Sequence, residues 1–295
     1  MRAKNNWALA SFLIALICSL ALFHETLFGE ERGVSQKLKI AATIPPIADI
    51  AKQIGGENVE VVSILSAGAD PHTFEFSSGK VRALQDAKVV FMIGHGFDDW
   101  VRTAMESIPK VRLVNVDGGI DLIKPARGVV DPHYWLSLPN GAKIAKTIAL
   151  TFEQLDPANE GLFDANLRGY LAELEQTDRA IRNRFAALKT RRMVTYHNGW
   201  NYVARDYNLH IVGHVEFSEG RETTPKHLAD LADLVSRYHI KALFCESVMP
   251  RPMAESVAQD LNLRLYMLDP IGGARGYLAL MKENASVIQE ALAHG

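Results

Sequence analysis

The feature that most constrains this chain is an alternation of two kinds of segment. "LKIAATI" (38–44) reads as a buried strand and "PIADIAKQIGG" (46–56) as a helix stopped by glycine. "VEVVSIL", "KVVFMIG" and "VRLVNV" are further strands, with "SSGKVRALQDA" and "FDDWVRTAMESI" as helices among them. Parallel neighbours cannot be joined by a tight turn, so strands alternating with helices imply βαβ units and a parallel sheet. After Arg191 the order returns. "RRMVTY", "LHIVGHVEF", "IKALFCE" and "LRLYMLD" are strands; "NGWNYVARDY", a helix opened by Thr224 and Pro225, and "PRPMAESVAQDLN" lie between them.

The stretch between these two runs has no strand character. "DPANEGLFDANLRGYLAELEQTDRAIRNRFAALK" opens on Asp156, a helix-capping residue type, and Pro157 suits the first helical position. Phe163, Leu167, Tyr170, Leu171, Leu174, Ile181, Phe185 and Leu188 recur at helical spacing. One helix from Pro157 to Lys189 would be about 50 Å long at 1.5 Å per residue. Two or three heptads are few for a coiled-coil arm, and a strut between two lobes fits better. The expected fold is α/β: two lobes of parallel sheet flanked by helices, residues 37–155 and 190–295, joined by one long rigid helix over 156–189. A cleft between such lobes is a usual place for a ligand.

Composition bounds the rest. The chain has 295 residues, 48% of them hydrophobic, enough for a sizeable core. The 32 Lys and Arg nearly balance the 34 Asp and Glu, for a formal charge of −2. There is no basic stripe for nucleic acid and no polybasic tail for an anionic membrane. Arg2 and Lys4 precede an uncharged apolar run, Trp7 to Phe23, which is the plan of a secretory signal and slightly short for a membrane span. Residues 1–36 are therefore expected to be a signal peptide or N-terminal anchor with a short linker, and the folded part to be exported. Cys18 follows Ile17 rather than the small residue a lipoprotein signal wants, so cleavage and anchoring both stay open. Without that leader Cys245 is the one remaining cysteine, and no internal disulfide can form.

The residues that carry chemistry sit where strands end. His72 follows "VEVVSIL" in "GADPHTFEF", His133 lies in "VVDPHYW" behind Val129 and Val130, His197 follows "RRMVTY" directly, and Asp269 ends "LRLYMLD". Ligands of open parallel sheets collect at the carboxyl ends of strands. The separations are 61, 64 and 72 residues (133−72, 197−133, 269−197), so loops from both lobes would have to meet. Three imidazoles and a carboxylate suit a first-row divalent ion such as Zn2+, whereas calcium and magnesium want more oxygens. Ten histidines offer many triples, and a histidine between a proline and two aromatics is as often a core ring with satisfied nitrogens. His95 also ends a strand. Glu246, ending "ALFCE", is the spare carboxylate, either an outer ligand or a group that orients a ligating imidazole. Asp131 reads as a turn residue or another such group. His210, His214, His227 and His239 are expected to be structural or solvated.

Taken in order, "GADPHTFEF", "DPHYWLS", "VTYHNGWNYVARDYNL", "TTPKHLADLADL", "ALFCES" and "YMLDPIGG" resemble the metal-binding solute receptors of zinc and manganese ABC importers, the cluster A-I binding proteins. The resemblance covers about residues 38–293. It implies two α/β lobes on one rigid helix, with the ion held at the positions of His72, His133, His197 and Asp269. It also implies a monomeric receptor without catalysis that delivers the ion to a membrane permease driven by an ATPase. Two departures matter. Between Thr73 and Pro132 the only histidine is His95, so the His- and acid-rich loop of many zinc members is missing, which weakens a high-zinc sensing role. Manganese and iron members resembling this chain tend to have Glu where His197 stands, which favours Zn2+ as the cargo over Mn2+ or Fe2+.

Two other classes compete. An exported zinc hydrolase needs three protein ligands, an open water position and a base, and Glu246 would be that base if Asp269 did not ligate. No H-E-x-x-H, G-x-S-x-G or P-loop pattern accompanies it. A metal-dependent adhesin would be marked by an intact apolar N-terminus and by binding to host proteins.

Overall fold

The computed structural model describes residues 37–71, 74, 78–124, 128–216 and 224–293. The expected leader, with Arg2, Lys4 and Cys18, lies outside the described residues, and so does His72. The first run forms β1 (Leu38–Ala42), α1 (Pro45–Gly55), β2 (Val59–Ser63), α2 (Ser78–Ala83), β3 (Val89–Met92), α3 (Trp100–Met105) and β4 (Arg112–Asn115). Two long helices follow, α4 (Leu138–Leu155) and α5 (Glu160–Ala186). The second run forms β5 (Arg192–Thr195), α6 (Asn201–Tyr207), β6 (His210–His214), α7 (Pro225–Tyr238), β7 (Ala242–Glu246), α8 (Arg251–Asp260), β8 (Arg264–Leu268) and α9 (Tyr277–Ala293). Among the described residues the strands make two four-stranded sheets, ordered β2-β1-β3-β4 and β6-β5-β7-β8. Every pairing is parallel.

Side-chain alternation along the strands builds three apolar layers. Ile40, Ala42, Val89 and Phe91 face a central core, while Ala41, Val90 and Met92 face an outer one. In the second sheet Met193, Ala242 and Phe244 face that same central core, and Val194, Leu243 and Cys245 face another outer layer. Strands buried on both faces carry no polar face, which is why they are legible as continuous apolar runs.

The central core is continuous through α5. Phe163, Tyr170, Leu174, Ile181 and Phe185 of that helix are buried in it, and Leu167, Leu171 and Leu188 pack against it. Burying such a side chain fully contributes about 1.5–3 kcal/mol. The strut is shorter than the sequence predicts. Its 27 helical residues span about 40 Å at 1.5 Å per residue. Asp156 ends α4 instead of capping α5, and Pro157–Asn159 form a separate 3-10 turn. At the far end Arg191 donates to the Phe185 carbonyl at 2.8 Å, so a side chain takes up a terminal carbonyl and the helix stops.

Helix α4 is an element the sequence reading passes over. Pro139 stands in its first turn, where the missing N–H costs nothing. Ser137 caps that turn by accepting from the Asn140 N–H at 3.3 Å, and Ile144, Ile148 and Phe152 form its buried stripe. Thr224 caps α7 in the same way, through the His227 N–H at 3.2 Å.

Candidate metal centre

In the order β6-β5-β7-β8 the direction of winding reverses between β5 and β7, and the crevice outside their carboxyl ends is the expected ligand site. His197 stands two residues beyond β5, after Tyr196 donates to the Phe244 carbonyl at 2.6 Å. Glu246 is the last residue of β7, and both residues line the same cleft. The first sheet has the same register, because Ala42 pairs with Phe91 as Thr195 pairs with Phe244. Shifting by 153 residues (195−42, 244−91) puts Ile44 and Ile93 where His197 and Glu246 stand, and both isoleucines are fully buried. The corresponding crevice in the first lobe is closed by Asp98. Its carboxyl accepts from the Thr43 hydroxyl at 2.6 Å and from the Ile93 and Gly94 N–H groups at 2.8 Å. The duplicated frame thus has one filled crevice and one lined by an imidazole and a carboxylate.

His133 does not end a strand, as the sequence suggests. Residues 128–133 are irregular and lead into a 3-10 turn at Tyr134–Leu136, since Pro132 cannot donate to a sheet ladder. Asp131 shapes the segment: its Oδ1 accepts the His133 backbone N–H at 3.0 Å and meets the ring Nδ1 at 2.8 Å. Its Oδ2 accepts from Asn201 at 2.9 Å. Burial alone would raise this carboxyl, but the hydrogen bonds from His133 and Asn201 outweigh it and hold the group below its ordinary value. An ionised carboxylate only accepts, so Nδ1 carries the proton and Nε2 is the basic nitrogen. The His133 and His197 rings meet with centroids 5.1 Å apart at 70°. Gly199 lies against both: a Cβ there would be 3.3 Å from each Cδ2 and 3.4 Å from His133 Nε2.

Glu246 is buried beside them. Its Oε1 accepts the Trp200 indole N–H at 2.6 Å, while Oε2 has no hydrogen-bond partner among the described residues. Burial pushes its carboxyl up to about 7, against the opposing pull of the Trp200 indole and the His197 backbone N–H. Asp269, just past β8, is half-buried and locked on three sides. Asn284 holds its backbone N–H and carbonyl at 2.8 and 2.6 Å. Its Oδ1 accepts from the Ile271 and Gly272 N–H groups at 3.0 and 2.8 Å. The cleft is lined by its neighbours Pro270 and Ile271, and on the first lobe by Asp70 and Pro71, which precede His72.

Of the four sequence-predicted ligands, the structure brings His133 and His197 together. Among the described residues it does not gather three His, Cys, Asp or Glu side chains into one group. His95 is engaged elsewhere, its Nε2 2.9 Å from Asp117 Oδ2. His214 and His227 are engaged within the second lobe: His214 Nδ1 meets the Thr195 hydroxyl at 2.8 Å, and His227 Nε2 lies 2.7 Å from the His214 carbonyl. Sequence reasoning gave no role to Gly199, Trp200 or Asn201, and the only signal for them is their adjacency to His197 in "HNGWN".

Two parallel lobes braced by one helix, with an imidazole from each meeting in the cleft, define a metal-binding solute receptor. Residues 40–291 match the model of the zinc-uptake complex component A, periplasmic (ZnuA), and the chain belongs to that family. It is similar to the iron ABC transporter substrate-binding lipoprotein MtsA of Streptococcus pyogenes serotype M1, with 31% identity over 90% of this chain and 92% of that protein. It is likewise similar to the manganese ABC transporter substrate-binding lipoprotein PsaA of Streptococcus mitis, with 31% identity over 95% of this chain and 98% of that one. A crystal structure of ZnuA superposes with a TM-score of 0.80 at 30% identity, covering 86% of this chain and 99% of that chain. The protein is thus a substrate-binding component of a metal ABC importer and not an enzyme. Members of the family work with a membrane permease and an ATPase. Its place is outside the cytoplasm, in the periplasm or tethered to the membrane's outer side. Among the described residues no helix is long and apolar enough to cross a membrane.

Proposed function

We propose that the cargo is zinc, held by His72, His133, His197 and Asp269. The observation that supports this most is the meeting of His133 and His197, with His133 fixed by Asp131 so that Nε2 is the basic nitrogen. Neutral imidazole is a borderline ligand that suits zinc better than the harder manganese ion. Asp269 Oδ1 already accepts two backbone bonds, so the carboxylate would offer the ion Oδ2 alone. Three imidazoles and one such oxygen make a four-coordinate, closed site, the usual preference of bound zinc. The receptor would work as a monomer of two lobes, 37–155 and 190–295, on the link 156–189, with 1–36 as signal or anchor. It would hand its ion to the permease.

A manganese or iron receptor is the second reading. It is favoured by the metals in the names of two similar proteins and by Glu246, a buried carboxylate whose Oε2 would add a hard donor. Mass spectrometry of the protein isolated from the exported fraction without added metal separates the two. Zinc is expected at one ion per chain; manganese or iron at that ratio would overturn the zinc reading. For the ligand set, each of the four changes to Ala should weaken zinc binding. Full affinity in two or more of those variants would sink it.

A further inference from the structure

We infer that Asn201 is a positioning residue that fixes the tautomer of His133 from the opposite lobe, so that the segment from His197 to Asn201 prepares both imidazoles for one ion. The inference rests on the reading of His133 and His197 as ligands and adds how they are made ready. The Asn201 amide has two hydrogens. They go to Asp131 Oδ2 at 2.9 Å and to Asn198 Oδ1 at 2.6 Å. Turning the amide over would point its oxygen at two acceptor oxygens, so chemistry fixes its orientation. Closing the local turn would account for the bond to Asn198. It would not account for the bond to Asp131, 70 residues away in the chain.

The grip on Asp131 is not confined to that bond. Tyr202, the next residue of α6, donates its hydroxyl to the Asp131 carbonyl at 2.7 Å and accepts the Ile123 N–H at 3.0 Å. The start of α6 therefore holds Asp131 by main chain and side chain together. With Oδ2 occupied from the second lobe, Oδ1 is held against the His133 backbone N–H and ring Nδ1. Without Asn201 the carboxylate could rotate about its side-chain torsion, and His133 would lose the acceptor that keeps its proton on Nδ1. The same five residues carry His197, set Gly199 between the two rings and tie Trp200 to Glu246. A displacement of the His197 loop is thereby transmitted to the orientation of His133.

The test uses the full chain with Asn201→Ala and Asn201→Asp. The second keeps the size and suits a helix N-terminus, but sets a carboxylate against Asp131. In metal-free protein at pH 8, long-range nitrogen–proton NMR should show His133 as the Nδ1–H tautomer in wild type and as a mixture in both variants. Zinc affinity, read by competition with a chromophoric chelator, should fall about tenfold in Asn201→Ala and further in Asn201→Asp, within the range usual for groups behind a ligand. In an Asp131→Asn background, Asn201→Ala should change affinity by less than about twofold. Retention of the pure tautomer and full affinity in both variants would overturn the inference. So would an undiminished tenfold loss in the Asp131→Asn background. His133→Ala with full zinc affinity would instead sink the ligand reading, and the tautomer shift in metal-free protein would still support the positioning role.

Discussion

Replacing Gly199 with alanine perturbs both imidazoles by a known amount and little else. Gly199 does not lie in the left-handed region, so alanine brings no backbone strain. Its Cβ would stand 3.3 Å from the Cδ2 atoms of His133 and His197 and 3.4 Å from His133 Nε2. Carbon contacts prefer about 3.5–4.0 Å, so each ring would have to yield by about 0.2–0.7 Å. His133 cannot yield freely, being bonded to Asp131 and packed between Phe97 and Trp135 with centroids 5.9 and 5.4 Å away. Metal–ligand distances tolerate about 0.2 Å. Displacing two donors beyond that limit should weaken zinc binding by about 10- to 100-fold, or ~1.4–2.7 kcal/mol. Stability should move the other way or not at all, because removing a glycine lowers the unfolded chain's entropy, a gain of about 0.4–1 kcal/mol. Chelator competition reads the affinity, and urea unfolding of the metal-free protein reads the stability. Unchanged zinc affinity would refute the reasoning. A loss of stability above about 2 kcal/mol would show that the glycine serves the fold and not the site.

Three further outcomes are expected. His197→Glu exchanges a borderline nitrogen for a hard, negatively charged oxygen donor, so the zinc-to-manganese affinity ratio at pH 7.5 should fall at least about tenfold, roughly 1.4 kcal/mol; a ratio unchanged in a folded variant would mean His197 does not set metal choice. Burial holds the His214 imidazole down at about 4 from its ordinary 6.5. The unfolded chain therefore takes up that proton first, and the stability due to this group is complete above about pH 6.5 and lost as the pH falls through 4, up to ~3 kcal/mol. Urea unfolding between pH 7 and 4 should steepen accordingly and flatten in His214→Gln; identical slopes would contradict the burial argument. Because α5 shares one core with both sheets, solution scattering should give the same radius of gyration with and without zinc, and marked compaction would count against a rigid strut.

The parts legible in the sequence are those whose physics is local. Val89 to Met92 are buried on both faces, so the strand shows as an unbroken apolar run. Phe163, Tyr170, Leu174, Ile181 and Phe185 follow the helical period because one stripe of α5 meets the core. Helix α4 went unseen because its signal is positional: Pro139 opens a helix only because Ser137 sits two residues before it as a cap. His133 and His197 are legible by residue type, and His197 also by its place just past the end of β5. What makes them a pair is not legible. Asp131 and Asn201 belong to different lobes, and nothing in either local sequence points at the other. Gly199 matters for what a side chain would strike there, which only the tertiary approach of two rings decides.

The bonds that cross the cleft bear on how an ion enters. Trp135 donates its indole N–H to the Pro270 carbonyl at 2.8 Å, and Tyr277 donates its hydroxyl to the Trp135 carbonyl at 2.6 Å. The Tyr277 N–H reaches Asp49 at 2.8 Å, and Arg205 reaches the Asp121 carbonyl at 2.8 Å. Each joins the first lobe to the second, and Trp135 and Tyr277 are fully buried. Opening the lobes about a hinge would break these bonds together and expose the central core beneath them, where each large side chain is worth about 1.5–3 kcal/mol. Moving a loop breaks far less. The segment from His197 to Asn201 is tied to its surroundings by side-chain bonds to Glu246 and Asp131, and closed on itself by the bond from Asn201 to Asn198. On the proposed ligand set, the physical economy of the fold would put ion exchange in the loops that carry His133 and His197. It also explains why the chain spends buried carboxylates such as Asp131 and Glu246 on holding those loops: the rigid frame leaves the site's precision to a few polar bonds.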